Sequence, residues 1–412
     1  MGRRKGTRHL VFDLVDDTSR FVETSQLSVW DRTLKWVDHV PSLDRPGRVL
    51  RDLASLHSAG VHGSIRGISG GVRGGVDALE ADRDEADEGQ PLHDRAPQPV
   101  FDALQAAVNG GWGSRLATRG NGLDVGFTLR DAEGRVLPVE RAALTARLVA
   151  PTARIAVFVH GLGSTEQCWR PDSKRAPVEA DNSFGGRLRE ELGYTPVYVR
   201  YNTGRRVLES GRALADAVSQ LVEAYPTPVQ ELVLIGHSMG GLVARAAALI
   251  AQAESRPWWS QLRHVVTLGS PHTGAPLARA ADAVVNASQA VDGEAARIIG
   301  AVLETRSDGV HDLSTGYGAE GAPKVDVDPD ASHAVNYFFI GSTLPPAALG
   351  ALSNWLGDLV VPLDSASANV PGDGPSVGRQ SGVVVTGCNH MQLPTSPRVY
   401  APLRRQLSGE PA

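Results

Sequence analysis

Lysine is nearly missing from this 412-residue chain: Lys5, Lys35, Lys174 and Lys324 stand alone among 41 basic residues, and the rest are Arg. Against 46 acidic residues they leave a formal charge of −5, so the footprint of a nucleic-acid binder is missing and no such partner is expected. Cysteine is scarcer still. Cys168 and Cys388 can pair at most once, which excludes a disulfide scaffold and gives no argument for an oxidising compartment. No apolar run reaches the roughly 18 residues that a membrane-spanning helix needs; the best candidate, Leu242 to Ala251, is short and carries Arg245. The opening Met1-Gly-Arg-Arg-Lys has the charge of an export signal, but Asp13, Asp16 and Asp17 interrupt the apolar stretch that should follow. A cytoplasmic location is therefore expected. Neither Cys-x-x-Cys nor His-Glu-x-x-His occurs and the 12 histidines are scattered, so no metal or cofactor is expected.

What the chain has is length, glycine and pattern. It is 42% hydrophobic with 45 Gly, long enough for one large domain or two ordinary ones with a core that needs no covalent staples. An acidic stretch, Glu80-Ala-Asp-Arg-Asp-Glu-Ala-Asp-Glu-Gly-Gln-Pro, runs on to Pro97 and Pro99 without apolar periodicity and reads as a linker at about 80–99. Apolar residues before it recur at helical spacing, most clearly from Val61 to Leu79, so 1–120 is expected to be a helical N-terminal extension. Gly63, Gly67, Gly71 and Gly75 recur every four residues along that stripe, a face suited to close packing on the rest of the chain or to self-association. Gly70-Gly-Val-Arg-Gly-Gly lacks the Gly-Lys-Ser/Thr end and preceding strand of a phosphate loop.

From about residue 121 the pattern changes. A hairpin signal at Asp131-Ala-Glu-Gly precedes six apolar runs: Ile155–Val159, Pro196–Arg200, Leu232–Ile235, His264–Leu268, Val335–Ile340 and Val383–Thr386. Helical patterns at Ser183–Leu192, Val207–Tyr225, Gly240–Ala253 and Pro397–Leu407 fall between and after them. Continuous apolar strands alternating with helices predict an α/β fold, a mostly parallel sheet covered on both faces. The stretch 276–317 shows mixed helical periodicity and reads as an insertion.

Chemistry concentrates at Leu232-Val-Leu-Ile-Gly-His-Ser-Met-Gly-Gly-Leu. Gly236-x-Ser238-x-Gly240 lies between an apolar strand and an Ala-rich helix, where a tight turn exposes the serine hydroxyl and glycine lets neighbouring backbones approach. With this motif the chain resembles the α/β-hydrolase family, particularly its lipase and esterase members, over roughly residues 121–412. Further segments carry the same resemblance. Ala156-Val-Phe-Val-His160-Gly161-Leu162-Gly163 resembles the family's oxyanion loop, which implies that the backbone N–H groups of Leu162 and Met239 form the oxyanion hole. His160 in that motif reads as structural. Leu268-Gly-Ser-Pro-His272-Thr-Gly274 resembles a strand-end motif that places His272 near the site, as a loop-holding or substrate-binding residue. Gly357-Asp358 resembles the acid-bearing segment, and Gly387-Cys-Asn-His390 the loop that carries the base.

The resemblance implies a Ser238–Asp358–His390 triad in the chain order this fold uses. Asp364 is a rival for the acid; His264 and His333 are weaker rivals for the base. Trp169, in the long loop after the oxyanion motif, either lines the substrate entrance or anchors that loop. By the same resemblance 276–317 is a lid-like insertion whose apolar residues suit an acyl chain, while bland helix packing stays open. Asp308-Gly-Val-His-Asp-Leu-Ser resembles a segment of actinobacterial lipase-like hydrolases without revealing a role. The implied substrate is an ester with an apolar acyl group. A polyester depolymerase, a phospholipase or an acyltransferase would use the same triad, and a catalytically silent binding module is the alternative of another class.

Overall fold

The computed structural model describes residues 99–171, 181–274, 307–315, 335–343, 361, 366 and 379–410. The chain divides into two compact units, Met1–Leu104 and Gln105–Ala412. The first lies almost wholly outside the described residues, and with it the glycine-spaced stripe and the acidic linker. Asp358, Asp364, His333 and most of the expected insertion also lie outside them.

In chain order the elements are α1 (Pro99–Thr118), β1 (Phe127–Arg130), α2 (Arg141–Arg147), β2 (Arg154–Val159), α3 (Phe184–Leu192), β3 (Tyr194–Tyr201), α4 (Val207–Ala224), β4 (Glu231–His237), α5 (Met239–Ala253), β5 (Leu262–Leu268), α6 (Asp308–Thr315), β6 (Asn336–Thr343), β7 (Arg379–Thr386) and α7 (Pro397–Ser408). Among the described residues seven strands form one sheet in the order β1-β3-β2-β4-β5-β6-β7. Of these, only β1 runs antiparallel, against β3; every other pairing is parallel. All six expected apolar runs are strands. The hairpin signal yields β1 and a single bridge from Arg130 to Val136, joined by a turn in which Gly134 takes φ 82°. The short helix α2 follows, where no helix was expected.

The continuous runs exist because both faces of the sheet are buried. Ile155, Val157 and Val159 of β2 join one hydrophobic cluster with Val197, Val199, Leu232, Leu234 and the helices α4 and α5. Ala156 and Phe158 face the other way, with Tyr198, Val233, Ile235, α3 and α7. Alternate side chains of each strand thus enter different cores. Helix α5 is buried from Met239 to Ala251, as expected of a helix apolar on all sides. Among the described residues no helix is long and apolar enough to cross a membrane.

Parallel strands put their carboxyl ends on one edge, and ligands of such sheets bind there. At that edge lie the loops after β2 (residues 160–165), β3 (202–206), β4 (Ser238) and β7 (387–392). A buried ion pair holds the first of them. Glu166 sits in a short 3-10 turn, Glu166–Trp169, and accepts two hydrogen bonds from the Arg200 guanidinium of β3 at 2.7 and 2.5 Å. Both side chains are buried. Burial alone would raise the Glu166 carboxyl pKa; the bonds and charge of Arg200 outweigh it and hold that pKa below the usual value.

A carboxylate with a depressed folded pKa contributes stability above its unfolded pKa, and that contribution is lost as pH falls through the folded value. Arg200→Leu leaves the buried Glu166 without this partner and should cost about 3–5 kcal/mol near neutral pH. In the variant burial acts on Glu166 without Arg200 and raises its pKa, so chemical denaturation should show the deficit shrinking as pH falls below neutral and that carboxyl takes up a proton. A loss under 1 kcal/mol, or one that does not vary with pH, would contradict this role.

Candidate active site

The turn from β4 into α5 is tight. Ser238 holds φ 54° and ψ −125°, a conformation that L-residues avoid and that costs on the order of 1–3 kcal/mol. The surroundings enforce it. Ser238 N–H donates to Leu268 O at 2.9 Å and Gly241 N–H to Ser238 O at 3.0 Å. A Cβ on Gly236 would stand 2.4 Å from Gly240 O and Gly241 N, and one on Gly240 would stand 2.2 Å from Val159 O. The glycines flanking the serine are therefore demanded by backbone contact, between the two arms of the turn and between the elbow and β2. Ser238 is half-buried. Met239, as the first residue of α5, has an N–H with no intrahelical partner.

The loop after β2 approaches the same serine: a Cβ on Gly161 would lie 3.0 Å from Ser238 Cβ. The Gly161 carbonyl and the Leu162 N–H share one peptide plane and point in opposite directions. That plane is pinned. The buried His160 meets Gly161 O through Nδ1 at 3.0 Å, and Ser164 N–H donates to the same oxygen at 3.3 Å. Tyr201 N–H donates to His160 Nε2 at 3.4 Å, which requires Nε2 to be the acceptor and puts the ring proton on Nδ1. His160 is thus a neutral structural residue, its pKa lowered to about 4 by burial. Among the described residues no acceptor is paired with the Leu162 N–H.

His390 opens a 3-10 turn, His390–Gln392, closed by a reciprocal cap between Asn389 and Gln392. Its backbone carbonyl lies 3.0 Å from Nε2 of His237, the residue before Ser238, and the two imidazole rings are 4.8 Å apart. A carbonyl can only accept, so His237 carries its proton on Nε2. His237 is fully buried, and loss of hydration, then the neighbouring His390, push its pKa well below the usual value. This histidine ties the base-bearing loop to the elbow, and nothing in the motif marked it out; a His beside the serine is uninformative until its ring has a direction.

Ser238, Met239, Leu162 and His390 are thus gathered at one edge of the sheet. Two expected substrate-binding residues, Trp169 and His272, are buried. Trp169 is fully buried, its indole edge-on to Phe158 at 5.0 Å and near Phe184 and His237. It anchors the loop. His272 is also buried; Arg245 Nη1 donates to its Nδ1 at 3.4 Å, its Nε2 meets Thr267 Oγ1 at 3.1 Å, and its ring packs on Phe339. It too holds a loop. His264, half-buried, lies in the amino-terminal half of β5, away from the carboxyl-end loops. Cys168 and Cys388 are both free; burial raises the Cys168 pKa to about 12, and Cys388 sits within the core. Among the described residues no three His, Cys, Asp or Glu side chains are grouped to hold a metal ion.

A mostly parallel sheet with a serine on a strained strand-to-helix elbow, faced by a second loop of backbone amides, is the α/β-hydrolase fold. Residues 198–294, which include the elbow, match a family model described as a PGAP1-like alpha/beta domain. A GPI inositol-deacylase of Candida albicans is 44% identical over 61 residues, which is 15% of this chain and 14% of that protein. Among solved structures, the Bacillus licheniformis lipase BlEst2 in its propeptide form aligns at a TM-score of 0.42 and 18% identity, over 63% of this chain and 52% of that one. A Listeria innocua gene product aligns at 0.39 and 16%, over 63% and 95%.

Three imidazoles buried near the elbow, His160, His237 and His272, have pKa values below the usual 6.5. Below that pH the unfolded chain binds protons that the folded one refuses, so stability falls with falling pH until the folded values are reached. For His160 alone, a fall to about 4 corresponds to about 3 kcal/mol. Denaturant midpoints should therefore drop from pH 7 to pH 5, and a flat profile over that range would contradict the neutral assignments.

Proposed function

We propose that the protein is a serine hydrolase that cleaves carboxylic esters with an apolar acyl group through an acyl-enzyme. The observation that carries this reading is the strained Ser238, at the amino end of α5 and beside the loop of Gly161 and Leu162. In the proposed reaction Ser238 Oγ attacks the ester carbonyl while His390 takes its proton. The carbonyl oxygen becomes an oxyanion that accepts from the N–H groups of Leu162 and Met239; one such donor is worth on the order of 3–4 kcal/mol. His390 then returns the proton to the leaving alcohol. Water repeats the sequence on the acyl-enzyme, releasing the acid and restoring Ser238. Asp358 is assigned the task of holding the imidazole tautomer and stabilising the imidazolium, on the motif alone.

Two facts favour an apolar acyl group. Met391, the residue after His390, leaves 71% of its surface exposed, an apolar surface next in sequence to the proposed base. The Candida albicans relative is, by its name, a GPI inositol-deacylase, which makes an acylated inositol lipid a fitting substrate class.

Hydrolysis of p-nitrophenyl esters of graded chain length tests the reading. Wild type should turn over esters and Ser238→Ala should lose at least about 1,000-fold in kcat. Medium or long acyl chains should be preferred. Preference for acetate alone would remove the apolar-acyl assignment, and absence of turnover on every ester would remove the hydrolase reading.

A further inference from the structure

We propose that Thr203 is a positioning residue for the oxyanion hole, and that the Asn202–Arg206 loop is its second support. The proposal rests on the esterase reading and adds to it a part of the site that the catalytic motifs do not contain. Leu162 lies between two peptide planes. His160 pins the first, through Gly161 O. The second joins Leu162 to Gly163, and its N–H donates to Thr203 Oγ1 at 3.0 Å. Gly163 holds φ 62° at this point. With both planes tethered, the backbone torsions of Leu162, and hence the direction of its N–H, are set from two sides.

Thr203 is itself firmly seated. It is 1% exposed and belongs to a loop held by the neighbouring Asn202. Asn202 Nδ2 donates to Gly113 O at 2.9 Å and to Asp124 Oδ1 at 2.8 Å, while its Oδ1 accepts from Gly204 N–H at 3.0 Å. Glycines of α1 admit this loop at backbone distance. A Cβ on Gly113 would fall 1.8 Å from Asn202 Oδ1, and one on Gly110 would fall 3.0 Å from Gly163 Cα. The second half of α1 therefore presses on the oxyanion loop and on the loop that anchors it.

The segment Asp308-Gly-Val-His-Asp-Leu-Ser grips the same place from elsewhere in the sequence. Gly309 N–H donates to Gly204 O at 3.0 Å, and Ser307 Oγ to Gly110 O at 2.5 Å. Asp312 Oδ2 accepts from Val207 N–H at 2.8 Å, capping α4, and its Oδ1 pairs with Arg206 at 3.2 Å. A Cβ on Gly309 would lie 3.0 Å from Met239 Cε. Residues 307–312 thus hold the loop that carries Thr203 and pack against the Met239 side chain.

Thr203→Val keeps the shape and removes the acceptor; Thr203→Ser keeps the acceptor. Both are assayed beside wild type for kcat and KM on p-nitrophenyl butyrate, for inhibition by a trifluoromethyl ketone that forms a tetrahedral adduct, and for labelling by a fluorophosphonate. Thr203→Val should lower kcat about 10- to 100-fold, leave KM within about twofold and weaken the ketone by the same factor as kcat. Thr203→Ser should recover activity to within about threefold of wild type, and Thr203→Ala takes the place of a valine variant that does not fold. Wild-type kcat in a folded Thr203→Val or Thr203→Ala variant would overturn the proposal, as would an equal loss in Thr203→Ser. Failure of both acceptor-less variants to fold would overturn it too, by reducing Thr203 to a stabilising role. A wild type inert to both ester and fluorophosphonate would overturn the esterase reading and this proposal together, which separates the two failures.

Discussion

The structure depends on one close approach of backbones, where the β4–α5 elbow crosses the end of β2. Gly240 lies against the carbonyls of Val159 and His160, and Gly161 against Ser238. No side chain fits at Gly240 and one at Gly161 would crowd Ser238, so the two loops that meet there hold each other. Ser238 pays for that closeness with a backbone conformation that other residues avoid. Around this crossing the sheet, the two apolar cores and the buried histidines read as supports for one pair of loops.

Burial does most of the electrostatic work. Four of the polar side chains that hold the loops, His160, His237, His272 and Glu166, are almost fully out of water. Each is constrained in its protonation: the imidazoles stay neutral because they are desolvated, and Glu166 stays charged because Arg200 binds it. A neutral imidazole has one donor and one acceptor, so its partners dictate its tautomer. His160 can then orient a peptide plane and His237 can grip the His390 carbonyl without introducing a buried charge.

The sheet was legible in the sequence because strands buried on both faces are apolar at most positions, with a polar exception such as Arg200 paired inside. The elbow was legible because its glycines answer to backbone sterics that hold for any chain turning this way. Trp169 and His272 show where that legibility stops. An indole or an imidazole near a site motif suits a substrate wall and a core equally well, and only the direction of the ring decides; here both point inward. Thr203 was invisible for another reason. It meets Gly163 across 40 positions, and an acceptor for one backbone N–H imposes no pattern on its neighbours. His237 stood in plain view inside the motif, yet its role appears only once the His390 carbonyl is found opposite its ring.

The central claim is that this strained elbow presents Ser238 as the nucleophile. The most direct measurement is peptide-mapping mass spectrometry of the protein after reaction with an alkyl fluorophosphonate. A single phosphonylated residue is expected, Ser238, on the peptide that runs through the elbow. Modification of another residue with Ser238 untouched would contradict it.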